Sequence, residues 1–221
     1  MSLPPSVEES YGTEFIRKGI HLFSLLIPVV YYFIPKSTAL AILIPLTLAF
    51  GLSDIGRLFI PSFGRFYNTW FGFLLRSHEQ NERGRRLNGA TYVLLAATLL
   101  VLLFPKVIAI TAIAVLIISD TSAALIGRRF GRHRFMSKSL EGASAFFLSG
   151  LLVVAFAPKV EYAPAEYVIG AAAAFLGAVV EASAIGLDDN LSIPLTVGGV
   201  MWLLYLLFLP AMNLFKLDGM I

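Results

Sequence analysis

The chain has 221 residues, 57% hydrophobic and only 14% charged, with a mean hydropathy of +0.80. A soluble domain carries about 25% charged residues, so the composition excludes an ordinary soluble globule and predicts an all-α polytopic membrane helical bundle. No Cys is present, and the formal charge is +3. Disulfides, thiolate metal sites and a cysteine nucleophile are thereby excluded, and the lack of an extended soluble basic face argues against nucleic acid as a partner.

Acidic Glu8, Glu9 and Glu14 stand where a cleavable signal would carry cations, so the first apolar run is expected to remain in the protein. Seven spans are predicted, roughly 14–34, 38–58, 89–104, 107–127, 142–157, 165–184 and 193–210. They form one membrane domain over residues 1–221. Crossing a core of about 30 Å takes about 20 residues. The third and fifth spans are short and need flanking residues or thinned lipid.

In the first span Arg17 and His21 are four residues apart on one helix face, with Lys18 beside them. Snorkelling accounts for cations at a helix end, less readily for His21 a turn deeper. In the second, Asp54 and Arg57 either neutralise each other or join a shared site. Residues 62–76 are too polar to span, yet Phe63, Phe66, Trp70, Phe73 and Leu74 fall on one face. They predict a helix in the interface, either a plain elbow or a gate for a lipid.

The fourth span ends in Asp120-Thr121-Ser122-Ala123-Ala124 and runs through Gly127 into a basic loop. Helix packing explains Ala123, Gly127 and Gly131 but not a carboxylate, so Asp120 is a site residue. Arg128, Arg129, Arg132, Arg134 and Lys138 serve as topology signals or as grips on polyphosphate oxygens. Ser139 is placed to cap the next helix, whose free N–H groups attract anions. Glu141 follows in its first turn, suited to the dipole or to magnesium, with Gly142 next. No Gly-Lys-Ser/Thr follows the glycines, so this is not a P-loop.

Glu181 closes the sixth span, and Gly186-Leu187-Asp188-Asp189-Asn190-Leu191-Ser192-Ile193-Pro194 follows. A cap at Ser192 with Pro194 in the first turn leaves two adjacent carboxylates unexplained. Magnesium takes one or two carboxylates plus nucleotide phosphates, which fits Asp188, Asp189 and Glu181.

With the N-terminus in the cytoplasm, only Lys36, Lys106, Lys159 and Lys216 of the 17 Lys and Arg residues fall on the opposite side. That bias places the N-terminus and the polar site in the cytoplasm and the C-terminus outside. The outer turns Pro35-Lys36, Pro105-Lys106 and Pro158-Lys159 are expected to carry no chemistry. The outer half is expected to hold no comparable polar group, which counts against a transporter with a midplane site.

Taken in order, these segments resemble the CTP-dependent lipid-alcohol kinases: dolichol or polyprenol kinase, phytol kinase and CTP-dependent diacylglycerol kinase. Glu14-Phe15-Ile16-Arg17-Lys18-Gly19-Ile20-His21 looks like the family's opening. Asp120 through Gly131, with Lys138-Ser139-Leu140-Glu141-Gly142, looks like its nucleotide segment, although Ser119 stands where a Gly often precedes the Asp. Glu181 with Gly186-Leu187-Asp188-Asp189-Asn190 and Pro194 looks like its acidic close, and Gly89-Ala90-Thr91-Tyr92 is a weaker match.

The resemblance implies transfer of the γ-phosphate of CTP to a membrane lipid alcohol at the bilayer. Asp120, Asp188, Asp189 and Glu181 would hold magnesium. Arg17, Lys18, Arg128 and Lys138 would grip the triphosphate, with Gly127, Gly131, Ser139, Glu141 and Gly142 completing the nucleotide segment. His21 or one of the carboxylates would take the alcohol proton. The residues themselves suit a cytidylyltransferase attacking the α-phosphate equally well, and a non-enzymatic transporter is the third reading. The acceptor and the oligomeric state are not legible.

Overall fold

The computed structural model describes residues 19–71, 87–183 and 186–219. Helices follow the hydropathy: α1 (Leu26–Phe33), α2 (Lys36–Phe59), α3 (Pro61–Phe71), α4 (Gly89–Leu103), α5 (Lys106–Phe130), α6 (Leu140–Phe156), α7 (Pro164–Ala182) and α8 (Asp189–Phe208). A 3-10 turn, Lys216–Gly219, closes the described chain. A helical stretch from Gly19 precedes α1 and is interrupted by a turn at Ser24-Leu25. α2, α5, α7 and α8 are long and apolar enough to cross a bilayer, and Gly19–Phe33, α4 and α6 are shorter apolar helices. The protein is an all-α integral-membrane bundle, and over the described residues its apolar helices overlap the seven expected spans.

The short spans are short for local reasons. Asn88 caps α4, accepting from the Ala90 N–H at 3.1 Å, and the helix ends before Pro105. Ser139 caps α6, accepting from the Gly142 N–H at 3.1 Å, and that helix ends before Pro158. Each is bounded by a side-chain cap at one end and a residue that cannot continue the hydrogen-bond ladder at the other.

α5 is the axis of the bundle. Every residue from Lys106 to Ile117 is buried, and the helix packs against α1, α4, α6 and α8. An all-round apolar helix requires neighbours on every side. Small residues set the spacing among the later helices. A Cβ added to Gly177 of α7 would lie 2.9 Å from Val197 Cγ2 of α8 and 3.2 Å from Phe146 of α6. Close approach of this kind supplies the packing that lipid, itself apolar, cannot drive.

The segment expected to lie in the interface is helical as α3, with Phe66 and Trp70 exposed. Residues 72–76, including Phe73, Leu74 and Arg76, lie outside the described residues.

The expectation of a bare outer half is overturned. Glu166, Lys106 and Lys159 are 0%, 1% and 3% exposed, all at the end of the bundle remote from Asp120. Glu166, in the first turn of α7, accepts from the N–H groups of Val160, Glu161 and Ala163 at 2.7, 3.0 and 3.0 Å, and from the Tyr205 hydroxyl at 3.1 Å. Lys159 donates to the carbonyls of Val154 and Ala157 at 2.6 and 2.8 Å, closing the end of α6. Lys36 reaches the Phe104 carbonyl at 3.4 Å. Lys106 lies over the Tyr31 ring, and its N–H donates to Asp218 at 2.8 Å. The Pro-Lys steps are thus built into helix ends, where a long cation finds unpaired carbonyls or an aromatic face.

Candidate functional site

Near its end α5 changes from Ile, Val and Ala to Ser119-Asp120-Thr121-Ser122. The Thr121 and Ser122 hydroxyls turn back onto the carbonyls of Ile117 and Ile118 at 2.7 and 2.9 Å and are satisfied within the helix. Asp120 faces outward from the ladder. Its Oδ2 lies 3.6 Å from His21 Nε2, with both side chains largely buried. The first and fourth spans therefore meet at an acid–imidazole pair.

The basic loop folds into an antiparallel hairpin not anticipated from the sequence, β1 (Arg134–Phe135) with β2 (Lys138–Ser139). The turn residue Met136 sits at φ 52°, in the left-handed region. Ser137 donates twice to the Ala182 carbonyl, from its N–H at 3.0 Å and its hydroxyl at 2.6 Å. The hairpin is thereby tied to the end of α7, where Glu181 lies one residue earlier.

Lys138 follows directly. Its Nζ is 2.8 Å from Glu181 Oε1 and 2.9 Å from Asp189 Oδ2, so one ammonium joins hairpin, α7 and α8. Burial pulls this amine down, but Asp189 and Glu181 outweigh that pull and hold it above its ordinary 10.5. It is cationic throughout the neutral range. Glu181 keeps a second oxygen, Oε2, buried with no hydrogen-bond partner among the described residues. Asp120 lies within electrostatic reach of Glu181 and Asp189, so the His21–Asp120 pair and the Lys138 cluster share one region.

α8 begins four residues earlier than its predicted span. Asp188, not Ser192, is the cap, with Oδ1 accepting from the Asn190 N–H at 3.0 Å and the Asn190 side-chain amide at 2.9 Å. Ser192 and Pro194 consequently fall inside the helix. A carboxylate outcompetes a hydroxyl four residues on because it accepts both Asn190 donors at once. Of the acidic pair, Asp189 reaches Lys138 while Asp188 organises the helix start.

Several other anticipated residues have structural tasks. Gly127, Gly131 and Gly142 let the end of α5 meet the start of α6. A Cβ on Gly142 would lie 3.1 Å from Ser139 Oγ and 3.2 Å from the Ala123 carbonyl, and one on Gly131 would collide with the Gly127 carbonyl. Glu141 bonds His133, ring Nδ1 at 2.7 Å and N–H at 3.2 Å, and braces the hairpin's base. His133 and Ser137 were missed, since nothing in local spacing marks a loop residue whose partner is an adjacent helix. Arg128, Arg129, Arg132 and Arg134 are exposed around the same end. Arg17 and Lys18 lie outside the described residues.

Asp54 and Arg57 form a buried pair, Nη2 to Oδ1 at 3.2 Å. Asp54 Oδ2 also accepts from the Asn88 N–H and the Thr91 hydroxyl, both at 2.7 Å. The aspartate thus pins the start of α4 to α2, and this resolves the choice for Asp54 and Arg57 in favour of the structural pair. It also gives Thr91 of the Gly-Ala-Thr-Tyr segment its role.

Among the described residues no three His, Asp or Glu side chains stand close enough to hold one metal ion. Two carboxylates sharing one cation, with an orphaned buried oxygen, fit a magnesium ion that completes its shell with phosphate oxygens and water.

Fold and site together define an integral-membrane bundle with acid, imidazole and ammonium groups gathered at one end. The chain is 29% identical over 190 residues to an uncharacterized protein of Rickettsia prowazekii, covering 85% of this chain and 93% of the relative. It is 28% identical over 169 residues to CTP-dependent diacylglycerol kinase 1 of Schizosaccharomyces pombe, covering 68% of this chain and 74% of that protein. No family model and no solved structure matches.

Proposed function

We propose that the protein is a CTP-dependent lipid kinase that transfers the γ-phosphate of CTP to the hydroxyl of a long-chain membrane alcohol. The observation that carries this reading is the Lys138 ammonium held by Glu181 and Asp189 beside Asp120. The likeness to CTP-dependent diacylglycerol kinase 1 supports the same chemistry. Lys/Arg asymmetry between the loops supports a site on the cytoplasmic side.

Phosphoryl transfer needs positioning and charge neutralisation more than covalent help. Lys138, Arg128, Arg17 and Lys18 bind the triphosphate. Asp189 and Glu181, with Asp120 nearby and Asp188 setting the start of α8, would hold magnesium, which would neutralise charge on the phosphate oxygens. The alcohol oxygen attacks the γ-phosphorus, the bond to the β-phosphate bridging oxygen breaks, and CDP leaves. The hydroxyl proton passes to His21, whose imidazolium Asp120 stabilises at 3.6 Å.

The test is turnover of purified protein with γ-labelled CTP and magnesium against diacylglycerol, phytol and polyprenols. Label in the lipid is expected. Label in pyrophosphate would make the protein a cytidylyltransferase, and no turnover with any acceptor would remove the kinase reading. The preferred acceptor within the panel names the substrate.

A further inference from the structure

α1, α5 and the end of α6 enclose an apolar groove of about 430 Å³, within the range of small-molecule pockets. Its floor is Ile110, Ala114 and Val153, and its rims include Val29 and Leu152, which are 48% and 63% exposed. The groove therefore opens sideways, where the bilayer lies.

Its N-terminal wall lies close to the candidate site. Leu25, Pro28, Val29 and Tyr32 line it, and His21 stands four residues before Leu25, in the helical stretch on the far side of the turn at Ser24-Leu25. His21 is the residue against Asp120. On α5 the groove reaches Ile118, about 3 Å short of Asp120 along the helix axis and about 200° from it around the helix. From Ile118 to Ile110 is about 12 Å at about 1.5 Å per residue. The groove is thus an elongated slot, apolar apart from Tyr32 and Tyr162, with Ala114 the small residue of its floor.

We infer that this groove seats the hydrocarbon chain of the acceptor, one chain lying along α5 with its hydroxyl at His21 and Asp120. The inference rests on the lipid-kinase reading and adds where the substrate lies. An annular phospholipid is the competing occupant. It would show no preference for a chain bearing a hydroxyl, whereas a slot ending at an acid–imidazole pair binds that group.

The experiment uses the full chain in phosphatidylcholine vesicles with octadecanol carrying a mid-chain diazirine. Photolabel is expected in the peptides bearing Val29, Ala114 or Leu152, displaced by unlabelled octadecanol and not by octadecane. Labelling spread over all lipid-facing helices, or displaced equally by octadecane, would overturn the inference. This readout needs no turnover, so an inactive protein that labels in the groove would sink the kinase reading and leave the groove standing. In an active protein, Ala114→Phe should raise KM for octadecanol about tenfold while leaving hexanol unchanged. Equal effects on both alcohols, or none, count against the slot. Val29→Trp, on the exposed rim, gives the same comparison if Ala114→Phe does not fold.

Discussion

In the proposed reaction Asp120 and Lys138 act in different ways, and their substitutions should separate. Asp120→Asn keeps the shape and removes the charge facing His21, so turnover should fall by at least about a hundredfold with CTP binding and thermal stability retained. Full activity in that variant would remove Asp120 from the site. Lys138→Met removes the cation shared by Glu181 and Asp189 and should raise KM for CTP, with Lys138→Arg recovering part of it because charge is restored without the same geometry. The pH behaviour follows from the direction of the Lys138 shift. An amine raised above 10.5 in the folded state contributes its full stabilisation below pH 10.5 and loses it only as pH climbs through the raised value. Alkaline unfolding midpoints of wild type and Lys138→Met should therefore converge above pH 10.5 and differ below it. A difference that vanished already near neutrality would contradict the pairing.

At the scale of elements, the helix ends are held by buried acids that take no part in the proposed chemistry. Glu166 satisfies three backbone N–H groups of the α6–α7 connection and the Tyr205 hydroxyl. Leaving buried donors unpaired costs about 1–3 kcal/mol each, so Glu166→Ala should lower the detergent melting temperature far more than Tyr205→Phe, which removes one bond worth about 1 kcal/mol. Asp54→Ala should be similarly damaging, since it removes the acceptor of the buried Asn88 N–H and Thr91 hydroxyl, at about 1–3 kcal/mol each. Equal melting curves for wild type and either acid variant would refute these assignments. The glycine cluster of Gly127, Gly131 and Gly142 belongs here as well, because it sets how closely α5 meets α6 and so where the hairpin places Lys138.

For the whole molecule the proposed orientation puts the hairpin and the α6–α7 connection on opposite sides of the membrane. The chain has no Cys, so single substitutions report cleanly. Arg134→Cys and Tyr162→Cys should react with a membrane-impermeant maleimide from opposite faces of sealed vesicles, Arg134→Cys only from the cytoplasmic face. Reaction of both from one face would overturn the topology.

What the sequence determined by itself is what depends on neighbours along the chain. Apolar runs set the spans, and the caps at Asn88 and Ser139 with the prolines beyond set two of them short. A carboxylate in the small-residue end of α5 marked Asp120, and the resemblance in ordered motifs pointed to the chemistry. Only the tertiary structure decided which charged residues meet. Asp54 and Arg57 close on each other and on α4, Asp188 caps while Asp189 reaches Lys138, and Lys106, Lys159 and Glu166 bury themselves at helix ends. The physical reason is that a charge in a membrane bundle settles with whatever partner packing brings within a few ångströms. For Lys138 that partner stands 43 residues away in Glu181 and 51 away in Asp189, a separation that no local pattern encodes.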